Sequence, residues 1–82
     1  MPGDAAVERL QLQTRRRLAL NLKAARARLG LSQERAAEKA GYSLQYFQRI
    51  ERCIVNTPID TITRLSAALR LDPAELLSRP ER

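Results

Sequence analysis

Between Thr14 and Leu29 the apolar residues Leu18, Leu22, Ala25 and Leu29 recur at i, i+4, i+7 and i+11. That spacing marks one face of an amphipathic helix. Val7 continues the stripe weakly, while Leu12 and Leu20 project to the outside. No Gly or Pro interrupts Ala5–Leu29. Residues 5–13 are compatible with an extension of this helix, a separate helix or loose chain. Met1-Pro2-Gly3-Asp4 reads as a disordered start, and Gly30 closes the helix at its C-terminal cap position.

The next stretch is tighter. Ser32 caps a short helix by offering its hydroxyl to an unpaired amide, and Glu34 suits the positive end of the helix dipole. Ala36, Ala37 and Ala40 form a small-residue face, and Gly41 sits where a bend needs an unhindered backbone. Ser43 caps the third helix, on which Phe47 and Ile50, following Tyr42, turn bulk into the core. Two short helices crossing at a glycine make a helix-turn-helix arrangement, whose second helix is offered to the DNA major groove.

Thr57-Pro58-Ile59-Asp60 opens a fourth helix, with Thr57 as cap and Pro58 at the first helical position. Ile62, Leu65, Ser66 and Leu69 form its buried face. Asp72-Pro73-Ala74-Glu75 repeats the start signal for a short fifth helix carrying Leu76 and Leu77. Arg79–Arg82 should fray. No alternating strand pattern occurs. The expectation is an all-α, compact five-helix domain: residues 1–13 an N-terminal extension, 14–78 the DNA-binding domain and 79–82 a frayed end.

The 82 residues suffice for one domain. Fifteen Lys plus Arg against nine Asp plus Glu give +6, which favours an anionic partner, nucleic acid first. Seven basic and two acidic residues fall in 1–30, four and three in 31–52, and four and four in 53–82. The reading helix is therefore not itself strongly basic, and phosphate-facing charge must come largely from the N-terminal third. Arg15-Arg16-Arg17 with Arg9 is the densest run, either an arm along the backbone or a solvated helix face.

Cys53 is the single cysteine and His is absent. A disulfide framework, the usual zinc ligand sets and Ser/His or Cys/His catalysis are thereby excluded. No glycine-rich phosphate loop occurs. We expect no enzyme, no cofactor and no metal. With no signal peptide and no apolar run near 18 residues, the expected location is the cytoplasm. Cys53 reads as a semi-buried filler ahead of a redox switch.

Order and spacing resemble the phage Cro and repressor type of helix-turn-helix protein, the Xre family, from about Leu18 to Leu77. The resemblance is carried by L-G-L-S-Q-E (29–34), A-G-Y-S (40–43), R-I-E-R (49–52) and D-P-A-E-L-L (72–77). It implies that Gln33 contacts a phosphate and braces the reading helix, that Ser43 makes a second phosphate contact, and that Arg26 and Glu51 form a largely buried ion pair. It also places Leu44, Gln45, Gln48 and Arg49 on the exposed face of helix 3, in agreement with their i,i+4 pairing. Arg49 can donate twice to guanine, Gln45 can pair with adenine, and Leu44 can pack on a thymine methyl. Arg52, Asn56 and the Tyr46 hydroxyl are further phosphate candidates, Tyr46 being half core. The chain departs from the family in carrying Cys53 where many relatives have glycine, Leu at position 44, and the extension 1–13.

A single domain covers too little operator to select one site, so such domains usually act as symmetric dimers on inverted repeats. The function expected from this sequence is a homodimeric, sequence-specific transcription regulator, a repressor or autoregulator that binds double-stranded DNA. The alternative is an antitoxin-like module that binds a toxin, with Leu12 and Leu20 supplying the patch, and also binds its own operator. A purely architectural nucleic-acid binder is a third, weaker option.

Overall fold

Helix-forming Ala, Leu and Arg dominate the first third of the chain, and the backbone there forms one uninterrupted helix. The structure, a computed structural model, describes residues 3–80. It contains α1 (Asp4–Leu29), α2 (Gln33–Ala40), α3 (Leu44–Glu51), α4 (Ile59–Leu69) and α5 (Pro73–Leu77). No strand occurs among the described residues. Of the three possibilities for residues 5–13, the first holds: they extend α1. Asp4 belongs to the helix rather than to a disordered start, because Gly3 in an extended conformation serves as its cap residue. Residues 1–2 and 81–82 lie outside the described residues.

The signals that end and start the central helices act as the chain chemistry dictates. Gly30 (φ 67°) and Gly41 (φ 80°) both adopt the left-handed conformation. Ser32 accepts from the Arg35 amide and Ser43 from the Tyr46 amide, each at 3.1 Å. Asp72 accepts from the Ala74 amide, while Glu75 reaches back to accept from the Asp72 amide. These reciprocal bonds hold a helix of only five residues.

One start signal is displaced. Thr57 does not cap α4, which begins at Ile59 with Pro58 as its extended cap residue. The first helical bond runs from the Ile62 amide to the Pro58 carbonyl, so Asp60 stands one position earlier in the turn than expected. The Thr57 hydroxyl is shielded from solvent and meets no partner among the described residues.

The core is one cluster drawn from every helix. Leu18, Leu22 and Ala25 of α1 meet Ala36, Ala37 and Ala40 of α2, Phe47 and Ile50 of α3, Ile62, Leu65 and Leu69 of α4, and Leu76 of α5. The three alanines let α2 approach closely, and Phe47, wholly buried, fills the space between helices. Ala19, one position off the expected stripe, is also buried. The Ser66 hydroxyl, buried beside Leu65, donates to the Ile62 carbonyl at 2.7 Å and so costs little. At the far side Asn21 Nδ2 donates to the carbonyls of Leu76 and Ser78, both at 2.9 Å, tying the end of α5 to α1. Val7, Leu10, Leu12 and Leu20 stay exposed.

Cys53 stands in the left-handed conformation (φ 65°), the geometry a glycine adopts freely. A side chain there costs about 1–2 kcal/mol, whereas glycine costs about 0.5–1 kcal/mol of unfolded-chain entropy. Cys53→Gly should therefore raise stability by about 0.5–1 kcal/mol, read from the denaturant midpoint. A lower midpoint would show that packing of the thiol outweighs the backbone strain.

Candidate nucleic-acid interface

Helix α3 is too short to hold itself in place, since helices under about 12 residues are marginal in water. Its position is set by a polar chain running from α1 through α3 to α2. Arg26 of α1 approaches Glu51 of α3 in a two-pronged arrangement, Nε to Oε2 at 2.8 Å and Nη2 to Oε1 at 2.9 Å. Arg26 Nη1 also donates to the Leu31 carbonyl at 3.2 Å, fixing the chain just before α2. The Glu51 side chain is 1% exposed and that of Arg26 19%. A carboxylate so removed from water survives only with its oxygens satisfied.

Gln33, at the start of α2, completes that satisfaction by donating Nε2 to Glu51 Oε1 at 2.8 Å. Its Oε1 in turn accepts from Gln48 Nε2 at 3.2 Å. The direction of this chain follows from chemistry. An ionised carboxylate only accepts, so Gln33 must turn its NH2 toward Glu51 and its oxygen toward Gln48. Gln48 then turns its NH2 inward, which leaves its own carbonyl oxygen without a partner among the described residues.

A second brace holds the other end of α3. Tyr42 and Tyr46 rings pack at 5.1 Å between centroids, tilted by 60°. Their hydroxyls both point at Thr61 Oγ1 on α4, Tyr42 donating at 3.2 Å and Tyr46 at 3.5 Å. Arg64 of α4 lies over the Tyr42 ring at 5.7 Å. Sequence reasoning missed this cluster. Its only signal was Thr61, a polar residue beside Ile62 on the buried side of α4.

Gln45 and Arg49 are exposed on α3, whereas Leu44 and Gln48 are half-buried. The four therefore do not form one fully exposed face, because Gln48 leans on Gln33. Ser43 is exposed at the helix start with its hydroxyl oxygen engaged as cap. Arg52 and Asn56 are exposed in the segment after α3. Tyr46 is half-buried, and its hydroxyl is turned toward α4. Arg16 and Lys23 stand exposed on α1, while Arg15 and Arg17 are half-buried.

A short capped helix, a glycine bend and a second capped helix with an exposed Arg and Gln define a helix-turn-helix protein. The chain belongs to that family: the family model described as "Helix-turn-helix domain" matches residues 17–78. It is of the Cro and repressor type, and regulators of transcription are its structural neighbours. It is similar to the hypothetical transcription factor NHTF from Neisseria, with 33% identity and a TM-score of 0.80, over 82% of this chain and 77% of that one. It is also similar to the restriction-modification controller protein C.AhdI from Aeromonas hydrophila, with 31% identity and a TM-score of 0.74, over 79% of this chain and 94% of that one. The fold recurs in an HTH_3 family transcriptional regulator from Vibrio cholerae (24% identity, TM-score 0.75), where 80% of this chain covers 37% of that longer one. No curated protein matches the sequence. Among the described residues no helix is long and apolar enough to cross a membrane.

Arg26→Ala would strand the Glu51 carboxylate in a site closed to water. The expected loss is about 3–5 kcal/mol of stability, read by urea or thermal denaturation. Wild-type melting combined with weakened DNA binding would show that Arg26 acts on DNA rather than on the fold.

Proposed function

We propose that this chain is a homodimeric, sequence-specific transcription regulator, a repressor or autoregulator that reads an inverted repeat with α3 in the major groove. The observation that carries the reading is the hydrogen-bonded chain from Arg26 to Gln48. It immobilises a partly exposed glutamine and leaves Gln45 and Arg49 free beside it. Neither side chain makes a hydrogen bond or an ion pair among the described residues, so both can be spent on base edges.

Base contacts fall to Arg49, Gln45, Gln48 and Leu44. Arg49 suits the two acceptors of guanine, and Gln45 suits adenine. Gln48, with its NH2 turned inward, offers an acceptor to the exocyclic amine of adenine or cytosine. Phosphate contacts fall to Gln33, Ser43, Arg52 and Asn56, which border α3 at both ends. Likeness to a restriction-modification controller supports a small regulator acting at the level of one operon, in the cytoplasm. The exposed Leu12 (38%) and Leu20 (51%) favour a second reading, an antitoxin-like module whose protein partner covers them.

Selection from a random duplex pool at near-physiological salt tests the proposal. An enriched inverted repeat with half-sites about one helical turn apart is the expected result. Arg49→Ala should then lose about 1–3 kcal/mol and relax the preference at one base pair of each half-site. Binding at low salt with no enriched sequence would refute sequence-specific reading.

A further inference from the structure

Where the segment after α3 meets the N-terminal half of α1, the two border an open hollow. Gln11, Thr14 and Arg15 of α1 form one wall, and Asn56 and Thr57 form the other. Leu18, Ile62 and Leu77 make the floor. The volume, about 260 Å³, exceeds the roughly 30 Å³ that one water occupies several-fold. Arg15 is the only charged residue in the lining, and it lies within 4 Å of no carboxylate among the described residues. It is half-buried, its stem lying along the hollow as a long basic side chain does when its charged head stays in water.

The polar neighbours are equally uncommitted. Thr14 spends its hydroxyl proton on the Leu10 carbonyl at 2.8 Å, but Gln11 and Asn56 make no side-chain hydrogen bond among the described residues. The Thr57 hydroxyl, left without the capping role its sequence position suggests, is closed to solvent and meets no partner among the described residues. Two uncommitted amides and an unpaired guanidinium around one hollow match a ligand that only accepts hydrogen bonds and carries negative charge.

We propose that this hollow seats a backbone phosphate of the bound DNA, with Arg15 as its cationic donor and Gln11 and Asn56 as neutral donors. The inference rests on the reading of the chain as a DNA-binding regulator and adds Gln11 and Arg15 of α1 to the backbone contact already given to Asn56. The helix-turn-helix match begins at residue 17, so Gln11 and Arg15 belong to the part of α1 that precedes it. The stretch before the motif thereby gains a role in DNA affinity: Arg15 lies against the segment that leaves the reading helix, whereas Arg28 lies on the opposite flank of α1 beside α5.

The test is the salt dependence of binding to the selected operator and to a scrambled duplex of the same length, for the wild-type chain, Arg15→Gln, Arg15→Lys and Arg28→Gln. Each phosphate contact contributes about 0.9 to the slope of log affinity against log salt. Arg15→Gln should reduce the slope by about 0.9 on both duplexes. Arg15→Lys should preserve it, and Arg28→Gln should leave it unchanged. Gln11→Glu, which puts a negative charge into the hollow one helical turn from Arg15, should weaken binding most at low salt. An unchanged slope in Arg15→Gln, with wild-type binding intact, would overturn this inference alone. A wild-type chain that binds neither duplex would overturn the DNA-binding reading with it. Arg15-dependent stabilisation by inorganic phosphate, without any change in the DNA slope, would identify a free-anion site instead and equally overturn the proposal.

Discussion

The fold depends on a carboxylate that has been taken out of water. Glu51 closes α3 with its side chain almost wholly buried, and everything that satisfies it belongs to another helix. Arg26 brings α1, and Gln33 brings the start of α2. Replacing such a pair by apolar side chains is often neutral for stability, so its value here lies elsewhere. It fixes the rotation of α3 about its own axis, which an apolar contact among Phe47, Ile50 and alanines would leave free to slip. An eight-residue helix needs that constraint if its outward side chains are to meet base edges in register.

Polarity passes outward from the same group. Because the carboxylate accepts only, the two glutamines in the chain have one orientation each, and Gln48 reaches the surface already oriented. Preorganisation of this kind reduces the entropy lost when the helix meets a groove. The tyrosine pair on Thr61 does comparable work at the N-terminal end of α3 with neutral hydrogen bonds and ring packing. The reading helix is thus clamped by a charged brace at one end and an aromatic one at the other.

Much of this was legible in the sequence because local rules and the hydrophobic period agreed. Ser32 and Ser43 cap, Gly30 and Gly41 turn left-handed, and Leu18, Leu22 and Ala25 face the core, each as its position dictates. The exceptions have local causes. Thr57 lost its cap because Pro58, extended, took that place itself. Cys53 adopts a glycine's conformation because the chain must reverse after α3 whatever residue stands there. The half-burial of Gln48 and the grouping of Tyr42, Tyr46 and Thr61 were not legible, since they depend on distances between helices that no spacing encodes. The hollow at Arg15 belongs to the same category: its walls lie more than forty residues apart in the chain.

Gln33 acts on the reading face through Gln48. A double-mutant cycle with Gln33→Ala and Gln48→Ala tests it most directly, measuring affinity for the selected operator at one fixed salt concentration. The expected coupling energy is about 0.5–3 kcal/mol, the range found for residues within one hydrogen-bonded network. Strictly additive losses would contradict it, showing that the two glutamines meet the DNA independently and that the chain from Glu51 ends within the fold.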